Sequence, residues 1–401
     1  MSIIFLGIVF AVIIILLALK RPLWQAILGG LLAIVLLWRM PVSAVFAQTS
    51  RVFTVWGNLT VILALYVITY LQRMLEARGQ IKLAQQDLNG IFHNRRINAA
   101  GAAMFIGLLP SAGAMILCGD IVKDATEGYL EPKEQAYVTS WIRHIPESTL
   151  PTYSGVLLMA NISGLPMGKF MLGMIVPVIV LFLLGYYPYM RRVPTDPGTP
   201  RSENRLRDLK NLFSHLWTLL VMIALILVLK LNVVTAGVVV ILAGLVVYRF
   251  NGKDMLRMLK SAFEVKLLLN TTLVLVLKEF ISWTGILQAL PEMMAGLPIP
   301  PYLIFALIFF LGGIISGASG VVAMAAPLAF AALEGTVPLM ILFMCMSHGA
   351  SLISPTHVCL VVAADYFHVS MGELIRKTIP ASLIFCAAML VYYNLLVLLQ
   401  S

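Results

Sequence analysis

Two short stretches concentrate the polar chemistry of an otherwise apolar chain. The first reads His144-Ile145-Pro146-Glu147-Ser148-Thr149-Leu150-Pro151-Thr152, preceded by Arg143. The second reads His348-Gly349-Ala350-Ser351-Leu352-Ile353-Ser354-Pro355-Thr356-His357. Each opens on a histidine, offers several hydroxyls and closes on Pro-Thr. Ionisable groups inside apolar segments are costly and mark function by default. Arg143 suits a clamp on a carboxylate, or an ion pair with Glu147 or Glu134. His144 and His348 suit capping of loop carbonyls as well as ligand binding or proton transfer. Glu147 suits carriage of a coupling proton, and Ser351 stands at its place in the second stretch.

The elements that hold these residues follow from composition. Of 401 residues 60% are apolar and 11% charged, and mean hydropathy is +0.95. Soluble domains carry about a quarter charged residues, so a water-soluble enzyme is excluded. Bilayer-length apolar runs recur along the whole chain, which predicts an all-α polytopic membrane protein. The net charge of +10 lies in loops and reads as topology signal, with no nucleic-acid partner. Cys118, Cys345, Cys359 and Cys386 stand singly in apolar segments and read as reduced structural thiols. No CxxC or His cluster at ligand spacing occurs, so no metal site is expected beyond Na⁺ on backbone carbonyls. The first run leads into Lys20-Arg21 without a basic segment before it and reads as a retained span.

About ten runs read as crossings: 3–19, 23–38, 57–75, 134–165, 167–190, 211–230, 233–249, 267–288, 336–366 and 372–399. The runs 97–127 and 300–333 differ. Each is broken midway by small residues, Pro110-Ser111-Ala112-Gly113 in one and Ser316-Gly317-Ala318-Ser319-Gly320 in the other. Arms of about 15 residues reach roughly 22 Å, short of an apolar core about 30 Å thick. Both runs are therefore predicted to be re-entrant hairpins, their tips buried in protein or lining a cavity. With the amino terminus outside, only Arg39, Arg51, Lys169 and Lys230 of the 28 Lys and Arg fall on the external face, with Arg143 and Lys278 inside spans. Segments 42–56 and 252–266 suit helices lying at the interface.

The halves read as copies. The two polar stretches align without a gap through Ala160/Ala364, Asn161/Asp365 and Met167/Met371. An odd number of crossings per copy makes the second inverted. The domains are 1–190 (scaffold spans 1–96; hairpin, broken helix and last span 97–190), a cytoplasmic linker 191–210, and 211–401 (scaffold 211–299; hairpin, broken helix and last span 300–401). Inverted repeats with discontinuous helices are a transporter architecture with its site near the midplane.

Pro146 to Pro151 and Gly349 to Pro355 should break the spans 134–165 and 336–366. Ser354-Pro355, and more weakly Leu150-Pro151, would be the N-cap and first residue of a new half-helix. Half-helix amino termini favour anions, and the carbonyl ends before them favour Na⁺. The expected substrate- and ion-binding residues are Ser111, Ala112, Gly113, His144, Glu147, Ser148, Thr149, Pro151 and Thr152 from the first copy. Gly317, Ser319, Gly320, His348, Ser351, Ser354, Pro355, Thr356 and His357 are expected from the second, with Arg143 as a clamp. Asp365 reads as a capping or interface residue, and Lys278-Glu279 as a subunit or domain contact.

This pattern resembles the ion transporter superfamily, which includes gluconate permeases, citrate and dicarboxylate symporters, arsenite pumps and some sodium/proton antiporters. Within it, the chain is most similar to an uncharacterised prokaryotic membrane family of unknown function. The resemblance spans the full chain and implies a homodimer in the cytoplasmic membrane. Scaffold spans would stay static while hairpins, broken helices and last spans move as an elevator. The Ser-Asn-Thr of the sodium–dicarboxylate branch is absent from both tips. The expected function is secondary transport of a small anionic organic solute coupled to Na⁺ or H⁺, without a cofactor. A cation/proton antiporter is the alternative. An intramembrane hydrolase using Ser148 or Ser354 with His144 or His348 is more distant, since no nucleophile elbow, HExxH or aspartate pair occurs.

Overall fold

The computed structural model describes residues 2–19, 21–80, 83, 84, 86, 87, 91, 93–108, 113–196, 204–286 and 298–399. The described residues are helical, with no strand among them. The first half runs α1 (Ser2–Ala18), α2 (Leu23–Leu37), α3 (Val42–Thr54), α4 (Trp56–Ala77), α5 (Arg95–Ile106), α6 (Gly113–Thr126), α7 (Pro132–His144), α8 (Ser154–Ser163), α9 (Met167–Gly173) and α10 (Ile175–Met190). The second runs α11 (Arg205–Leu227), α12 (Val233–Val247), α13 (Gly252–Ser261), α14 (Val265–Trp283), α15 (Pro301–Ala332), α16 (Val337–Ser351), α17 (Val358–Tyr366) and α18 (Met371–Leu398). Four helices are long and apolar enough to cross a membrane, five if the bent pair α8 and α9 counts as one span. The chain is thus a multi-pass membrane protein by length and composition of its helices.

The halves pack reciprocally. Helix α2 lies against α14 and, in mirror order, α12 lies against α4. Helix α15 packs on α8, and α17 packs on α6. Each half therefore places the second part of its broken span against the hairpin of the other. At the centre sit α7 and α16. From Pro338 to Ser351 every residue of α16 is buried, as is every residue of α7 from Glu134 to His144. An apolar helix buried all round is ordinary core. Helix α7 is not apolar, so its buried Glu134, Gln135, Arg143 and His144 need partners from the protein itself. Glu134 has them: Arg192 at 2.7 Å and Lys377 at 3.5 Å. Nine residues, about 13 Å of helix, separate it from Arg143 on the same element.

Helix α15 turns back on itself. Gly317 has φ 73° and ψ 169°, a conformation that needs glycine. The Val321 side chain lies 2.7 Å from where Gly312 would carry a Cβ. In a straight helix those residues would stand roughly 13 Å apart along the axis, so the two arms are antiparallel. In the first half, α5 and α6 likewise pack together; their connection, including Pro110, Ser111 and Ala112, lies outside the described residues.

Two boundaries differ from the sequence reading. The run 167–190 forms two helices interrupted at Met174, with α9 bent 117° from α8. The linker expected over 191–210 ends early, because the Asn204 side chain accepts from the Arg207 N–H and starts α11 at Arg205. Scaffold segments 42–56 and 252–266 do form short helices, α3 and α13, and their amphipathic faces leave Val52 and Met258 as their buried residues.

Candidate functional site

Both expected breaks occur, but their half-helices start later than Ser354-Pro355 and Leu150-Pro151 would place them. Helix α7 passes into a single 3-10 turn, Ile145–Ser148, and α8 begins only at Ser154 with Tyr153 as N-cap. Helix α16 continues through Gly349 to Ser351, and α17 begins at Val358 with His357 as N-cap. The reason lies in the hydroxyls. Ser354 Oγ donates to the carbonyl of Ile314 at 2.6 Å and accepts from the Thr356 N–H at 3.3 Å. Thr356 Oγ1 donates to the carbonyl of Ile315 at 3.3 Å. Those carbonyls end the first arm of α15 just before the Gly317 kink, where helical partners run out. Ser354 and Thr356 thus cap the hairpin, not the helix that follows them.

The first break is docked in a comparable way. The Tyr153 hydroxyl donates to the carbonyl of Gly107, the residue that ends α5. A Cβ on Gly107 would fall on the carbonyl oxygen of Arg143, so only glycine allows α5 to close against α7. Ser148 Oγ donates to the Ile145 carbonyl at 2.8 Å and lies 3.1 Å from Thr149 Oγ1. Pro151 and Thr152 border an apolar cavity of about 180 Å³ shared with Leu216 and Met222 of α11.

Between the halves, the hairpin and the half-helix meet. Ser319 Oγ, on the second arm of α15, lies 3.1 Å from Ser154 Oγ at the first turn of α8. Gly155 follows in the same turn, close enough that a Cβ there would stand 3.2 Å from Ser319 Oγ. The amino terminus of α8 therefore points into the hairpin tip with its N–H groups and positive dipole end.

The histidines separate by role. His144 is fully buried; its Nδ1 bonds the Ser140 carbonyl, and its Nε2 lies 3.7 Å from Glu147 Oε2. His357 of the opposite break stands edge-on to it, ring centroids 4.7 Å apart, with Nδ1 3.0 Å from the Ser351 carbonyl. The structure thus pairs His144 with His357, whereas the sequence alignment pairs it with His348. His348 is buried against Phe385, and neither ring nitrogen has a hydrogen-bond partner among the described residues. Arg143 is 1% exposed at the end of α7.

Several of these residues escaped the sequence reading. Cys359, taken as a structural thiol, lies with His144 and His357 in one cluster whose donor atoms are within 4.8 Å of one another. The His357-x-Cys359 spacing just after Pro355 was its only local signal. Ser154 and Gly107 had none. A cleft of about 530 Å³ opens away from the breaks, between α4, α8, α9, α11 and α12, with Asn161, Lys169 and Lys230 on its walls. Asp365 is exposed at the end of α17. The Lys278-Glu279 pair joins the halves: Glu279 accepts from Arg51 Nε at 2.8 Å and Asn58 Nδ2 at 2.9 Å, and Lys278 Nζ donates to Asn58 Oδ1 at 3.2 Å.

These features define a polytopic helical membrane protein whose two broken helices and hairpins interlock around buried polar groups. The chain belongs to the family described as Protein of unknown function (DUF401), whose profile matches residues 2–398. Among curated proteins, none matches the chain. Among solved structures, the fold is similar to that of the YdaH transporter of Alcanivorax borkumensis, with a TM-score of 0.61 at 14% identity over 88% of each chain.

Proposed function

We propose that the protein is a secondary active transporter for a small anionic organic solute, a carboxylate, coupled to Na⁺ or H⁺. The observation that carries this reading is the meeting of the α8 amino terminus with the α15 hairpin tip at Ser154 and Ser319. A helix amino terminus, hydroxyls and closely approaching glycine backbone offer donors to an anion without a fixed catalytic group. The reciprocal packing of hairpins and broken spans suits two inverted copies exchanging access from either side of the bilayer, as in inverted-repeat transporters. In this reading α1 to α4 and α11 to α14 form a static scaffold of a homodimer in a prokaryotic cytoplasmic membrane. The remaining elements move as an elevator. The fold shared with a protein described as a transporter supports this choice over an intramembrane hydrolase, for which Ser148 and Ser354 are engaged with backbone carbonyls instead of a histidine.

One observation favours cation/proton antiport as the second reading: Glu147 faces the buried His144 at 3.7 Å. Thermal unfolding of the purified protein against carboxylates, sugar acids and inorganic anions, each with Na⁺ or K⁺ and at two pH values, separates the two. A ligand at about 100 times its dissociation constant stabilises the fold by roughly 2.7 kcal/mol. Stabilisation by an organic anion supports the first reading and identifies its substrate class. A response to Na⁺ or pH alone, with no organic ligand acting, overturns it in favour of the antiporter.

A further inference from the structure

We propose that His144, His357 and Cys359, with Glu147 as fourth donor, form a binding site for a divalent cation of the zinc class. Two imidazoles, a thiol and a carboxylate are a borderline-soft donor set, suited to Zn²⁺ and poorly suited to Na⁺, Mg²⁺ or Ca²⁺. The donor atoms of His144, His357 and Cys359 lie within 4.8 Å of one another. Bond lengths of about 2.0–2.3 Å put tetrahedral donors roughly 3.3–3.7 Å apart, so side-chain adjustment of an ångström or less closes the set on an ion. Glu147 Oε2 already stands 3.7 Å from His144 Nε2.

The imidazoles are oriented for it. His144 Nδ1 bonds the Ser140 carbonyl, and His357 Nδ1 faces the Ser351 carbonyl at 3.0 Å. A carbonyl accepts only, so in the neutral rings both Nδ1 atoms carry the proton and both Nε2 atoms keep a lone pair. A carbonyl bonded to the far ring nitrogen is the arrangement that orients metal-binding histidines. His144 Nε2 is fully buried and has no hydrogen-bond partner among the described residues. An orphan lone pair of this kind costs free energy unless something occupies the space before it. Ionisation of Cys359 and the charge of Glu147 offset the dication, and Arg143 is the cation they must also balance.

The donors come from both halves: His144 and Glu147 from the first break, His357 and Cys359 from the second. A bound ion would tie the breaks together. The proposal rests on side-chain geometry alone, so its failure leaves the transport reading standing.

The test is Zn²⁺ binding to the purified full-length protein by equilibrium dialysis and elemental analysis, with Co²⁺ as a spectroscopic probe. We expect about one ion per chain and a thiolate-to-Co²⁺ charge-transfer band. Cys359→Ser should abolish the band and weaken Zn²⁺ binding at least about tenfold, and Cys386→Ser should change neither. His357→Gln should weaken binding comparably while leaving the metal-free unfolding midpoint near that of the parent, since His357 is only half-buried. Retention of no ion, or unchanged binding by Cys359→Ser, overturns the proposal.

Discussion

Ser154 and Ser319 face each other across the two halves with their hydroxyl oxygens 3.1 Å apart, although 165 residues separate them in sequence. One begins the half-helix after the first break and the other lies just past the kink of the α15 hairpin. The pair fixes where the broken span of one half meets the hairpin of the other. With both residues replaced by cysteine and Cys118, Cys345, Cys359 and Cys386 replaced by serine or alanine, a short bifunctional thiol reagent should link positions 154 and 319. Mass spectrometry of the digested protein reads the linked peptides. If 154 and 319 never link, while a pair within α15 such as 312 and 321 does, the halves do not meet here.

Gly107 predicts a stability effect with an internal control. Any side chain at 107 meets the Arg143 carbonyl, which belongs to the backbone and cannot swing aside. Gly107→Ala should therefore destabilise the fold by about 1–3 kcal/mol. Gly101 sits in the same helix with nothing within 4 Å of a Cβ, so Gly101→Ala should be neutral or slightly stabilising through helix propensity. Unfolding midpoints of the two variants in detergent decide it; equal midpoints would show that α5 does not close on α7.

How much of this was legible beforehand divides along physical lines. Proline and glycine announce backbone events locally, so the two breaks and the α15 turn could be read from Pro146, Pro151, Pro355 and the run around Gly317. The half-helix starts could not. Ser354 carries the chemistry of an N-cap, but its hydroxyl is drawn to the Ile314 carbonyl 40 residues upstream, a competition that exists only once the hairpin is in place. Cys359 shows the same dependence: a lone thiol in an apolar segment gains a second reading only from His144, brought near it from the other half. The equivalence of His144 and His348 in sequence also concealed that His144 meets His357.

The Glu279 network makes a further prediction. Glu279 is 7% exposed and accepts from both Arg51 and Asn58, while Lys278 donates to the same Asn58. Glu279→Ala leaves one N–H of the buried Asn58 amide without its acceptor, the other still facing the Arg51 carbonyl, and should cost about 1–3 kcal/mol. Glu264→Ala removes an exposed partner of Arg73 instead and should cost less than about 1 kcal/mol. Denaturation of both variants at low and high salt checks the difference, which salt should shrink for Glu264 and leave largely intact for Glu279.

Ser354 and Thr356 supply the sharpest test of how the second break supports the hairpin. Their hydroxyls are the side-chain donors to the Ile314 and Ile315 carbonyls among the described residues. Ser354 is fully buried and Thr356 exposed. Ser354→Ala leaves the Ile314 carbonyl facing a methyl group where water has little access, at a cost of about 1–3 kcal/mol. Thr356→Val exposes the Ile315 carbonyl to solvent that can replace the lost donor, so its cost should stay below about 1 kcal/mol. Loosening of the hairpin should appear in Ser354→Ala as faster amide hydrogen exchange at residues 318–321, read by mass spectrometry, with α16 unchanged. Equal exchange in the two variants would mean that the buried hydroxyl does not hold the hairpin to the break. Faster exchange confined to Ser354→Ala would place the hairpin's restraint in a single hydrogen bond that a ligand at the tip could compete for.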